Sequence, residues 1–151
     1  MKTLVKFSLI AVALALFLPL ASQELLAEGH HPHYMRALSD LRFARALLQR
    51  PNGGELGEQE RAAIHDIDEA IAEIKRASID DGKGLDDHAP VDAHLPWAGR
   101  LHKAHELIGR AINDCAKEED NPHTQGLQAR ILEHLHHAEH HVDEAIAIVH
   151  H

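Results

Sequence analysis

Imidazole sets the chemistry open to this chain: sixteen of its 151 residues are histidine, and twelve of them cluster in three groups with carboxylates among them. The first group is Glu28-Gly29-His30-His31-Pro32-His33. If the mature chain begins at Glu28, four nitrogens can close a square: the free amine, the Gly29 and His30 amides, and the His30 ring. That tetragonal arrangement suits Cu(II) or Ni(II). Gly29 permits it, whereas a proline there would lack the amide proton the square must lose. His31 and His33 add imidazoles beside it. The bland alternative is a frayed, histidine-rich stub before the first helix.

The second group runs from His134 to Glu144. On a helix, spacing i, i+4 sets His136 over His140 and His137 over His141, each pair able to chelate one ion. A wheel centred on Ala138 puts His134 and His141 beside the apolar stripe, with His137 and Glu144 further round on the same side. That flank set can meet helix one or helix three across a bundle. His136 and His140 point outward with Asp143, where a solvated, charge-tunable face is the simpler reading. The third group is Asp86, Asp87, His88, Asp92 and His94 in a linker, followed by His102 and His105 on the next helix. Of these, His105 flanks the core stripe and His102 points away. Mixed imidazole and carboxylate donors suit Zn, Ni or Cu better than Ca. The stretch from Asp80 to Asp92 lacks the ligand spacing of an EF-hand, so an Asp/Pro-rich loop that caps helices is its plainer role.

These side chains need elements to position them, and the hydrophobic periodicity supplies four helices. A first helix over about 32–50 opens with Pro32 at N1 and stops at Pro51-Asn52-Gly53-Gly54, with Tyr34, Leu38, Leu41, Ala44 and Leu48 inward. A second, about 58–80, carries Glu58 and Glu60 at its positive end and repeats Ile64, Ile67, Ile71, Ile74 and Ser78 at alternating 3/4 spacing, a bundle seam. A third, from Pro96 to about 119, puts Trp97, Leu101, Ala104, Ile108, Ala111, Ile112 and Cys115 on one face. Asn121-Pro122 gives an N-cap and N1 proline for the fourth, whose stripe is Leu127, Ile131, Leu135, Ala138, Val142, Ala145 and Val149. Four helices, each apolar on one face, bury those faces together. The expected fold is all-α, an antiparallel four-helix bundle of one domain, residues 28–151, with a long polar 2–3 connection over 81–95.

Residues 1–27 read as a cleaved signal peptide. A basic start with Lys2 and Lys6 precedes an apolar run, 7–20, that is short for a membrane span. Ala27 and Ala21 are the two cleavage candidates, of which Ala27 fits better. The chain is then exported, periplasmic or secreted, without stable membrane insertion after cleavage. In an oxidising compartment Cys115, the only cysteine, has no internal disulfide partner.

Four stretches resemble a family of small exported bacterial helical proteins: HPHYMRALSDLR (31–42), EIKRASIDDGK (73–83), GRLHKA (99–104) and EEDNP (118–122). The resemblance covers most of the mature chain and implies export and a helical fold. It carries over no functional residue.

Composition excludes several classes of function. A net charge of −9 argues against nucleic acid, which needs clustered Lys and Arg. Aromatics make up 3% of the chain, too few for base-stacking platforms. A ferritin-like di-iron site wants two inward Glu-x-x-His motifs, and only Glu133…His136 fits, facing outward. Haem ligation through Met35 fails because that side chain leaves the inward face. Cys115 on the buried stripe of helix three suits packing better than nucleophilic chemistry. The expectation is therefore a protein with no enzymatic activity that binds or buffers Cu, Ni or Zn. The alternative is a pH-responsive envelope stress or interaction module without a metal, in which clustered imidazoles charge together on acidification.

Overall fold

The computed structural model describes residues 31–50, 57–76, 79, 81–118 and 125–150. Within them are four α-helices and no strand: α1 (Pro32–Leu48), α2 (Glu58–Arg76), α3 (Trp97–Lys117) and α4 (Gln125–Val149). The all-α expectation holds. The leader, His30, the Pro51–Gly54 stop, Ser78 and the Asn121-Pro122 start signal lie outside the described residues.

Local chemistry accounts for the helix ends. Pro32 sits in the first turn of α1, where its missing N–H costs nothing. Glu58 and Glu60 meet the positive end of α2, and Lys75 and Arg76 its negative end. Pro96, in extended conformation, precedes α3. α4 differs: its last turn contains no basic residue.

The two most extensive contacts are α1 with α3 and α2 with α4, joined by α3 with α4 and α1 with α2. Side-chain pairs run in opposite order along each partner. His33 near the start of α1 meets Asp114 near the end of α3, and Arg100 near the start of α3 donates to the Arg50 carbonyl at 2.6 Å. Across the other large contact, Glu73 meets Arg130 and Gln59 meets His141. The expected stripes face inward. Ile67, Ile71 and Ile74 of α2, Leu101 and Ile108 of α3, and Ile131, Leu135, Ala138 and Val142 of α4 are buried; Ile64, Ile112 and Val149 are half-buried at the margin. Each fully buried Leu or Ile contributes roughly 1.5–3 kcal/mol, and alanines such as Ala37, Ala63 and Ala104 leave room for close helix approach.

The connection after α2 is clamped rather than loose. Arg42, fully buried in α1, donates through both terminal nitrogens to Asp81, each bond 2.6 Å. Gly82 follows at φ 70°, a left-handed conformation that glycine adopts without strain. The Lys83 carbonyl then accepts from Lys75 at 2.8 Å, and the His88 ring stacks on Phe43 of α1. Burial works against the charge on Asp81, but the Arg42 hydrogen bonds and the Lys83 amide outweigh it and hold its pKa below the ordinary 3.8. Among the described residues no helix is long and apolar enough to cross a membrane.

Candidate functional site

Histidine meets carboxylate mainly where α4 packs on its neighbours. The seam with α2 is organised by Asp66, a largely buried carboxylate two turns before Glu73. Its Oδ1 lies 3.8 Å from His134 Nδ1 and its Oδ2 lies 3.8 Å from His141 Nε2. His141 also donates from Nδ1 to Gln59 Oε1 at 2.8 Å, and Glu144 Oε2 stands 3.7 Å from that same nitrogen. The heptad spacing of His134 and His141 puts both imidazoles on one flank of α4, two turns apart, so that a single carboxylate on the facing helix can lie between them. The flank therefore meets α2, not helix one or three as the wheel allowed. A stripe fixes which residues are inward but not which neighbour each edge touches.

This geometry has an electrostatic consequence. Because Nδ1 of His141 donates to Gln59, a neutral His141 keeps its lone pair on Nε2, the nitrogen turned toward Asp66. Two electron-rich atoms then face each other at 3.8 Å, an arrangement that a shared metal ion would bridge. In metal sites, an imidazole held through one nitrogen presents the other as ligand.

The rest of the second group disperses. His137 is exposed, while Glu144 faces His140 Nε2 at 3.5 Å on its own helix. His136 faces Glu139 at 3.7 Å rather than sharing an ion with His140. The α3–α4 seam adds His105, whose Nε2 lies 3.1 Å from Asp143 and 3.9 Å from Glu139.

Of the first group, His31 and His33 are described, and both turn to the end of α3. His31 Nδ1 donates to Glu118 Oε1 at 2.7 Å, a short charge-assisted bond. The other oxygen of Glu118 is buried without a hydrogen-bond partner among the described residues. His33 Nδ1 lies 3.1 Å from Asp114, which also takes Arg36. Burial opposes the charge on Asp114, yet hydrogen bonds from Arg36 and His33 hold its pKa below the ordinary 3.8. Beneath them Cys115 is fully buried. Burial, reinforced by the Asp114 and Glu118 charges, pushes its thiol up to about 12, which fits packing rather than nucleophilic chemistry.

The linker group does not converge on a shared ion. His88 Nδ1 donates to the Ala89 carbonyl at 2.8 Å, and exposed His94 sits in a turn whose amide bonds Asp92. Among the described residues, no group of three or more His, Cys, Asp or Glu side chains is arranged to hold a metal ion. Compared with known proteins, the chain matches no family model, no curated protein and no solved structure.

Sequence reasoning missed Asp66 and Gln59, which carry the α4 seam. Both stand on the polar side of α2, where heptad logic predicts solvent. Their signal is recoverable only by pairing them with the flank histidines of α4.

Proposed function

We propose that the chain is an exported, histidine-rich protein, built as an antiparallel four-helix bundle, that binds or buffers a late transition metal: Cu, Ni or Zn. Its role is to hold an ion rather than to catalyse a reaction. Kinship with the small exported bacterial helical proteins, residues 1–27 as a cleaved leader, and a periplasmic or secreted address belong to the same proposal. The observation that carries it is Asp66 flanked by His134 and His141, with the His141 lone pair directed at a carboxylate oxygen 3.8 Å away. Zinc binds imidazole nitrogen at about 2.0–2.1 Å and carboxylate oxygen at about 2.0–2.2 Å, so modest side-chain rotation brings both onto one ion, with water completing the shell. The net charge of −9 supports this by drawing cations toward the protein.

A second, proton-linked reading is favoured by one further observation. His31, His33, His105, His134, His136, His140 and His141 all face a carboxylate within 4 Å. In that reading a proton takes the ion's place. The experiment is elemental analysis of untagged protein purified from its own compartment, then titration of the metal-free form. Copper, nickel or zinc at stoichiometric level, with submicromolar rebinding, supports the metal reading. No affinity tighter than millimolar, together with a pH-driven change in the metal-free protein, replaces it with the proton-linked one.

A further inference from the structure

Two histidines outside the carboxylate-facing sets, His102 from the end of the third group and His150, meet at one end of the molecule. His102 stands in the second turn of α3, and His150 directly follows α4. Their ring centres are 5.8 Å apart with planes tilted by 44°. Both are exposed, and among the described residues neither ring has a hydrogen-bond or ion-pair partner. They contrast with the carboxylate-facing histidines elsewhere: here the available neighbour of an imidazole is another imidazole.

The separation has chemical meaning. A ring bound through nitrogen at roughly 2.0–2.1 Å has its centre about 3.2 Å from the metal, so two rings on one ion have centres ~5.2 Å apart at a tetrahedral angle and ~6.4 Å apart in line. The observed 5.8 Å lies between these limits. His140 and His141 stand at a similar 6.0 Å, but both turn ring nitrogens toward carboxylates. A second observation points to a cation at the same place. The last turn of α4 lacks any basic residue, so within that turn no lysine or arginine complements the helix's negative end. An ion held by His150 would supply that charge.

We propose that His102 and His150 form a two-imidazole site for a divalent late-transition ion, with water in the remaining positions, and that the ion clasps the end of α4 to the start of α3. The inference rests on the metal reading for its class of ion, but its ligands are distinct from His134, His141 and Asp66. The clasp closes where packing is thin: Ile148 is 62% exposed and Val149 only half-buried.

The test is a Zn(II) titration of untagged, metal-stripped protein carrying ¹⁵N-labelled histidine, with ring resonances assigned through His102→Gln and His150→Gln variants. Both positions are exposed, so the substitutions leave the core intact. The expected result is that the His102 and His150 rings shift together in one saturable step. Either substitution then weakens that step at least tenfold and leaves the His134 and His141 response unchanged. If His134 and His141 respond while His102 and His150 stay still through millimolar zinc, the clasp is wrong and the α2–α4 reading survives. If His102 and His150 respond alone, the clasp stands and the α2–α4 reading falls. Independent shifts, each indifferent to removal of the other ring, would overturn the clasp as two unrelated surface contacts.

Discussion

The two large helix contacts of this molecule are stitched with different chemistry. Between α1 and α3 the cross-links include guanidinium groups: Arg110 bonds both oxygens of Asp40 at 3.0 Å, and Arg36 bonds Asp114. Arg42 adds the buried bond that ties the following connection to α1. Between α2 and α4 one arginine pair, Arg130 with Glu73, secures one end, and imidazoles take over beyond it at Asp66 and Gln59. Guanidinium keeps its charge at every physiological pH, whereas imidazole changes charge and accepts metal ions. Both seams bury comparable apolar stripes, so the difference is not one of folding. It makes α4 the element whose attachment an ion or a proton can adjust along its length, whereas in the α1–α3 contact imidazole is confined to one end, at His31 and His33.

The largest effect should come from the guanidinium contacts. Arg42→Met strands Asp81 as a buried, unpaired carboxylate and should cost about 3–5 kcal/mol of stability in urea unfolding, with no change in zinc affinity. Replacing Arg42 and Asp81 together by apolar residues should cost much less, since no charge is left stranded. A similar loss from the double replacement would break the claim that the pair is a charge clamp.

Next in size is the acid limb. Asp81, Asp114 and Glu73 have folded pKa values below their ordinary 3.8, 3.8 and 4.5; at Glu73 burial opposes the charge, but Arg130 and Arg76 prevail. Groups lowered in this way stabilise the fold fully above those ordinary values, and the contribution is lost as pH falls through the folded ones. Thermal unfolding should therefore show their full contribution, with little pH dependence from them, between pH 7 and about 5.5, and a loss below pH 4. Asp81→Asn should lower stability at neutral pH and flatten that acid limb. A wild-type slope already steep at pH 6 would place the sensitivity in the imidazoles instead.

Without metal, His134→Gln with His141→Gln should cost under about 1 kcal/mol, since partly exposed imidazole–carboxylate contacts at 3.8 Å contribute little. With zinc present the same variant should lose most of the added stability, while Arg110→Ala should lose none of it. The smallest expected response is at Cys115. Its buried thiol should react with alkylating reagents only on unfolding, at a rate that metal alters solely through stability.

Much of this frame was legible in the sequence, because apolar periodicity reports burial directly. The stripe from Leu127 to Ala145 is buried throughout, and Cys115 lies where its stripe placed it. Ends were less legible: α1 ends at Leu48 rather than residue 50, and Ile79 already lies outside the helix expected to run to about 80. Arg42 escaped notice because a charged residue beside Leu41 reads as surface, and only the fold reveals that Asp81 returns to meet it. The histidines were visible as types but not as partners. His134 and His141 were placed on the correct flank, yet the identity of the facing carboxylate depends on which helix lies there, and periodicity contains no such information. His102 and His150 meet from distant parts of the chain, so no local pattern joins them.

Imidazole contacts along α4 respond to ions, whereas the guanidinium contacts in the middle of the α1–α3 pair do not. Amide hydrogen exchange of the untagged protein, with and without saturating Zn(II) at pH 7.4, tests it directly. The expected result is added protection in α4 and in the facing segment of α2 around Gln59 and Asp66, with the guanidinium-linked part of α1 and α3 around Asp40 and Arg110 unchanged. Uniform protection across all four helices, or protection confined to α1, would contradict it.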